Sequence, residues 1–457
     1  MTTSVAMFKP ETLELTRDAY LGGLLQQCEY KESVVNEEIG LLLAKIRQKA
    51  ASVVVKSDIP SKKDEKWRFT DLSELVAQDF RLATKPEVSN FVLNGFILSE
   101  AYNSRLVLVN GAYAPELSDI SGLPEGVYVG NLGNLPSSLT DKIGQYLARH
   151  RDTQEVFTAL NTAGITDAAV IWVNANVEVT TPIHLLHLTV TEKTPSFAQP
   201  RILVVAERGA RVQLIEYYGA VAQGCSDTPH NQYYFTNTVT EIYLQENAQL
   251  NHSRIQRESG DGFHIGKTAI AQERYSRYTG NEISLGGKLY RHNLQINQLG
   301  EQTETYLNGL SMIEGKQLAD THSQVNLTQP HGTVNQLHKY IIDESAQGVF
   351  HGKIHVPQKA QLTNAAQLNR NLLLSPKARI NTKPELQITA DNVKCSHGAT
   401  ISQLEAEEIF YLRSRGLNEY DARHLLIDAF AAEILDKLPF ESLRHRLSQC
   451  VACRTID

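Results

Sequence analysis

Asn392-Val393-Lys394-Cys395-Ser396-His397-Gly398-Ala399-Thr400-Ile401 stands where the hydrophobic period of the chain changes. Upstream, from about Ala168, apolar and polar residues alternate in short runs broken by Asn, Gly and Pro, the period of strand after strand. Downstream, from Gln403, apolar residues recur at helical spacing. The stretch therefore reads as the last strand before a helical tail. Side chains two apart on a strand share a face. Cys395 and His397 are thus expected on one side, where a thiol and an imidazole could meet one metal ion or sulfur species.

Working back from this edge, residues 166–400 read as strands, opened by Ala169-Val170-Ile171-Trp172-Val173, Ile183 to Leu188 and Arg201 to Val205. A short pattern recurs at Gly209-Ala210-Arg211-Val212, Asn247-Ala248-Gln249-Leu250, Lys359-Ala360-Gln361-Leu362 and Lys377-Ala378-Arg379-Ile380. Its gaps are near multiples of roughly 18–19 residues, which predicts coils of that length stacked into a β-solenoid, with a sandwich as second choice. Stacking lets each coil bury its apolar face on the next. A solenoid leaves open edges that invite pairing with another chain. The flanking helical segments are expected to cover its ends.

Residues 1–165 read as a helical and mixed α/β region. Thr12 to Leu25 and Ser33 to Val55 carry apolar residues at helical spacing. Leu106 to Val109 is a short buried strand, and Ser138 to Leu147 a helix. Trp67 and Phe69 are expected to pin the charged turn Pro60 to Leu72 to a core. Residues 401–457 form a small helical domain. Its first helix has a capping box, Ser402 with Glu405, and stops at Gly416. Asn418 caps the next, whose expected stripe is Leu425, Leu426, Ala429, Phe430, Ile434 and Leu438. A third helix runs from Glu441 to about Val451. Such short helices bury little by themselves, so they pack on the solenoid or dock another protein.

The net charge of −7 over 457 residues, with no strongly basic block, argues against nucleic acid as a partner. No apolar run approaches the roughly 20 residues of a membrane span. The first residues lack a signal-peptide pattern. Cys28, Cys225, Cys395, Cys450 and Cys453 are few and scattered, which fits a reducing cytoplasm better than a disulfide framework.

Several patterns with a possible chemical meaning read better as structure. Glu258 to Thr268 contains Gly266-Lys267-Thr268, but the preceding glycines fall at the wrong spacing for a phosphate loop, and it reads as a turn. Cys450-Val451-Ala452-Cys453 is a single CxxC, short of the four ligands of a structural zinc site. His351 and His355 lie four apart in a strand with no third ligand nearby, while His184 and His187 face opposite ways. No Gly-x-Ser-x-Gly elbow occurs. The chain is expected to hydrolyse no nucleotide. A paired-acid polysaccharide hydrolase or lyase on a β-helix stays open from spacing alone, because solenoid carboxylates converge in space. It predicts a secretion signal and an acid-rich groove. A purely structural homodimer, in which Cys395 and His397 do no chemistry, is the other alternative. Thiolate and imidazole suit iron and iron–sulfur clusters, yet two ligands leave a cluster incomplete without a second chain.

Longer stretches carry a resemblance. Lys394 to Thr400, followed by Phe410-Tyr411-Leu412-Arg413-Ser414-Arg415-Gly416, resembles the C-terminal signature of the SufB/SufD family of iron–sulfur cluster assembly scaffolds. Asn369 to Ser375 and Thr382 to Ile388 resemble the strand motifs before it, and Asp64-Glu65-Lys66-Trp67-Arg68-Phe69-Thr70 the family's acidic-Trp-Arg motif. Gly398 stands where B-type members tend to carry an acidic residue, so the chain is similar to the D-type members. The resemblance implies a right-handed parallel β-helix core and a non-catalytic scaffold role. It implies pairing with SufB through the β-helices, with a homodimer possible in isolation. It also implies docking of the ATPase SufC, which holds the ATP, on the C-terminal helices through Phe410, Tyr411, Arg413, Arg415, Gly416, Leu425 and Phe430. No cofactor is expected to be held stably by this chain alone. A transient iron–sulfur cluster is expected at the interface, with His397 as this chain's contributor, a metal ligand shared with the partner, and Cys395 as its neighbour.

Overall fold

A computed structural model describes residues 17–29, 35–150, 155–221 and 231–454. Cys225 and the expected first helical turn from Thr12 lie outside them. The core is a parallel β-solenoid of two facing sheets, one 11-stranded and one 10-stranded, in about eight coils. One sheet runs from Val127–Asn131 through Ala169–Val173 to Arg379–Ile388, the other from Ala112–Tyr113 through Arg105–Val109 and Ile183–Val190 to Lys394–Ser402, with only the first pair of each antiparallel. Successive coils pair in parallel and in register: Arg277 with Glu304, Glu304 with Thr333, Thr333 with Asn364, Asn364 with Lys394.

That register corrects the expected period. One coil takes roughly 30 residues, two strands and two corners, rather than 18–19. The quoted pattern mixes two different corners. At one of them a residue with positive φ recurs in every coil: Asn176, Gly209, Asn247, Tyr275, Gln302, His331 and Leu362. Each donates its N–H to a carbonyl of the next coil, at 2.7–3.1 Å, so a continuous ladder offsets the left-handed conformation of the bulky residues. Lys377 to Ile380 belongs to the opposite corner, where Arg379 N–H donates to Ala346 O.

The lumen is lined by inward side chains that stack rung on rung, such as Leu214, Val204, Ile242, Ile270, Ile296, Val325 and Ile354. Each such fully buried aliphatic contributes about 1.5–3 kcal/mol. The helices Glu37–Val54 and Val156–Ala163 cover the outer face of the first sheet. Trp67 is buried there, 5% exposed, whereas Phe69 is 43% exposed, so only one of the two aromatics pins the turn.

The C-terminal helices Ala406–Ser414, Glu419–Leu435 and Glu441–Arg454 do not cover the end of the solenoid, contrary to expectation. The second and third lie along the outer face of the second sheet. Ile427, Ala431, Ile434, Leu438, Leu443 and Leu447 meet Ile283, Leu310, Ile341 and Leu372. Arg446 ties the third helix to the N-terminal region through the carbonyls of Phe96 and Ile97, at 3.1 and 2.9 Å. The buried stripe of Glu419–Leu435 is Ala422, Ile427, Ala431, Ile434 and Leu435, rotated from the expected one. Asn418 caps it as expected, accepting from Asp421 N–H at 2.8 Å. The expected capping box is absent: Ser402 still belongs to the last strand and its hydroxyl donates to Asn371 O, and Glu405 makes no side-chain cap bond.

Candidate functional site

The open end follows from this arrangement. Among the described residues, Arg379–Ile388 pairs only with Gln347–Val356 and Lys394–Ser402 only with Asn364–Leu373, so each leaves one hydrogen-bonding edge without a described partner. Strands such as Leu318–Leu327 and Gln347–Val356 alternate buried with half-buried residues over much of their length, but along these two every residue is exposed or half-buried. Two strands of ten and nine residues, Arg379–Ile388 and Lys394–Ser402, thus present backbone donors and acceptors at the open end.

Cys395 and His397 lie on the second of them. Their Cα partners one rung below, Ala365 and Gln367, are buried in the lumen, so both positions belong to inward columns at its mouth. Cys395 is half-buried and packs on the lumen core, and burial raises its thiol above the ordinary value. The protonated thiol is a poor ligand until a partner or cation lowers that value. His397 is exposed. Gly398, half-buried, lies against Leu368, to whose Cδ1 an added Cβ would come within 3.3 Å. Among the described residues no three His, Cys, Asp or Glu side chains are grouped to hold a metal ion.

Of the residues expected to meet the ATPase, Phe410, Tyr411 and Leu425 are 73, 56 and 48% exposed. Helix Ala406–Ser414 buries no side chain at all. Arg415 lies 5.3 Å over the Tyr411 ring, Arg413 pairs with Glu419 at 3.1 Å, and Gly416 ends the helix at φ +99°. Phe430 is different. Its ring and carbonyl face the solenoid, where the Lys339 ammonium sits 4.1 Å over the ring and donates to Phe430 O at 2.8 Å. It belongs to the internal packing of the helix, apart from the exposed set.

The sequence reading missed a polar cluster inside the solenoid. Glu216 accepts from His252 at 3.0 Å, Glu258 from His264 at 2.5 Å, and Glu282 from His292 at 2.8 Å, around a buried Arg254. A cavity of about 20 Å³ lies among His252, Glu282, His292 and His338. That is room for one water molecule. No short-range signal marks these residues, because each partner comes from another coil or strand. Glu258 to Thr268, read as a turn, is a turn only to Asp261; Gly262–Gln272 is a strand. His351 and His355 share the outward face of their strand, and His184 and His187 are both buried on opposite faces, as the spacing predicts.

The fold and the site together are a parallel β-solenoid with an open mouth, a thiol and an imidazole at that mouth, and a helical flank with exposed aromatics. The comparisons with known proteins give the class. Residues 188–430 match the family model of the SUF system FeS cluster assembly SufBD core domain, and residues 24–185 that of the SufBD protein N-terminal region. The chain belongs to the SufBD family of iron–sulfur cluster assembly proteins. It is 56% identical to an iron–sulfur cluster assembly SufBD family protein of Synechocystis, over 94% of this chain and 95% of that one. It is 37% identical to the chloroplastic protein ABCI7 of Arabidopsis thaliana, over 89% and 85%. With the iron–sulfur cluster assembly protein SufD of Escherichia coli the identity is 31%, over 86% and 89%.

Proposed function

We propose that this chain is the D-type, non-catalytic half of a cytoplasmic iron–sulfur cluster scaffold. Its open edge pairs with the solenoid of a SufB-type partner, and the iron–sulfur cluster, which is cargo, forms where the two mouths meet. His397 offers an imidazole to that cluster and Cys395 lines the same mouth. A SufC-type ATPase docks on Phe410, Tyr411 and Leu425, and hydrolysis of ATP belongs to that partner. The observation that carries the reading is the pair of unpaired edge strands, one of which presents His397. Backbone pairing across them supplies affinity, and the imidazole supplies one ligand of a set that needs others from the facing chain.

The test is anaerobic co-expression with SufB and SufC of the same source, as wild type and as His397→Ala, followed by complex mass, iron and sulfide. The expected outcome is a complex of unchanged mass that loses most of its iron and sulfide in the variant. Equal iron and sulfide would leave this chain a structural partner only. Absence of any complex would refute the pairing.

A further inference from the structure

An imidazole that binds a metal through one ring nitrogen needs its other N–H held, because that bond selects the tautomer and orients the ring. His397 is exposed and strand-borne, so something beneath it must do this. The residue one rung below in the same inward column is Gln367, 2% exposed. Its amide is fixed from behind: Nε2 donates to Oε1 of Gln336 at 2.9 Å, and Gln336 Nε2 in turn donates to Ser323 Oγ at 2.8 Å. Gly352, across the lumen, gives this amide its place, since a Cβ there would lie 2.2 Å from Gln367 Nε2. An amide carries a donor nitrogen and an acceptor oxygen on one Cδ. With the nitrogen committed to Gln336, the oxygen is left to accept from elsewhere, and the next rung of the column is His397. Gln367 Oε1 is buried and has no hydrogen-bond partner among the described residues. Buried acceptors are seldom left so.

We propose that Gln367 is the positioning residue for His397: its orphan Oε1 accepts the inward ring N–H and so holds the other ring nitrogen toward the mouth of the solenoid. Gln336 and Gln367 on successive rungs, braced by Ser323 from the facing sheet, are then a support for a single surface imidazole. The inference rests on the reading of His397 as the cluster-facing residue; Oε1 and the ring are not bonded as they stand, so the bond forms when the His397 ring turns inward, a step that needs neither partner nor cluster.

That independence sets the experiment. Full-length chain labelled with ¹⁵N-histidine gives long-range ¹H–¹⁵N spectra in which each neutral imidazole reports its tautomer, and His397→Ala assigns the signal. The wild type is expected to show one tautomer at His397 and Gln367→Met the two-tautomer average of a free ring. Met keeps the length and burial of the side chain, and Gln336 Oε1 keeps Ser323 Oγ as a donor at 3.2 Å. In the complex with SufB and SufC, Gln367→Met is expected to lower bound iron about 10-fold or more with complex mass unchanged. Gln367→Glu, which keeps an acceptor, is expected to restore the single tautomer. A two-tautomer average in the wild type overturns the proposal, and so does a single tautomer that persists in Gln367→Met. Should His397→Ala leave iron untouched while the tautomer responds to Gln367, the hydrogen bond stands and the cluster role of His397 fails.

Discussion

Arg291 shows how much one side chain can join. It is buried, its guanidinium lies 3.8 Å over the Trp67 ring, and Nη2 donates to Lys66 O at 2.9 Å. Its Nη1 donates to the buried carboxylate of Asp320, which Thr70 also reaches. The Arg291 and His322 charges and these hydrogen bonds outweigh the burial of Asp320 and hold its carboxyl down at about 2. The motif Asp64 to Thr70 is therefore fastened to the solenoid by chemistry that reads planar geometry, and a lysine does not replace it. Arg291→Met leaves a buried carboxylate without its main partner and is expected to cost about 3–5 kcal/mol in urea unfolding. The double variant with Asp320→Leu is expected to recover part of that loss. Strict additivity of the two single losses would contradict the coupling.

Among the elements, the helix Glu419–Leu435 depends on one buried cation. Lys339 donates to Phe430 O, lies over its ring and pairs with Glu433 at 2.5 Å. Arg370, one rung further toward the open end, reaches the same Glu433 at 3.2 Å. Burial, joined by the Arg370 charge, outweighs Glu433 and lowers the Lys339 ammonium below its ordinary value. Since Glu433 is part-exposed, the pair is screened. Lys339→Ala is expected to cost about 1–3 kcal/mol, concentrated in this helix. Hydrogen exchange checks it: amides of 419–435 should lose protection in the variant while the lumen strands keep theirs. Uniform loss over both would show that helix and solenoid open as one unit.

For the whole molecule, acid is the informative stress. Burial holds His184 down to about 3, and His187 and His338 to about 4. A free imidazole titrates near 6.5. Between about 6.5 and 4 the unfolded chain therefore binds more protons than the folded one, and stability falls as pH falls through that window. Asp320 has the depressed-carboxylate sign: its contribution is present above about 4 and is lost as pH falls from there toward about 2. The expected urea midpoint drops in two stages, the imidazole stage first, each group worth on the order of 2–5 kcal/mol. His338→Asn should flatten the upper stage. Nε2 of His338 has no hydrogen-bond partner among the described residues, and the bond from Asn369 goes to its backbone carbonyl. An unchanged slope in that variant would remove His338 from the account.

Local pattern settled a good part of this protein. Alternation marked the strands from Ala169 onward, helical spacing marked both flanks, and Asn418 and Gly416 marked helix ends through their own side-chain and backbone chemistry. The pairing of Cys395 with His397 on one face followed from the strand period alone. The coil length did not, because the left-handed corner is held by hydrogen bonds between coils and accepts Gly, Asn, Tyr, Gln, His or Leu alike. Nor did the lumen cluster, the place of Arg291 against Trp67, the stripe of Glu419–Leu435 or the place of Gln367 one rung beneath His397. Each of these joins residues of different elements, some only 6 or 10 positions apart and others a coil or more, brought within a few ångströms by the turns and the stacking of the coils. Tertiary structure alone decided that the C-terminal helices lie along the flank and leave the mouth open, since the face they bury is made by strands from many coils at once.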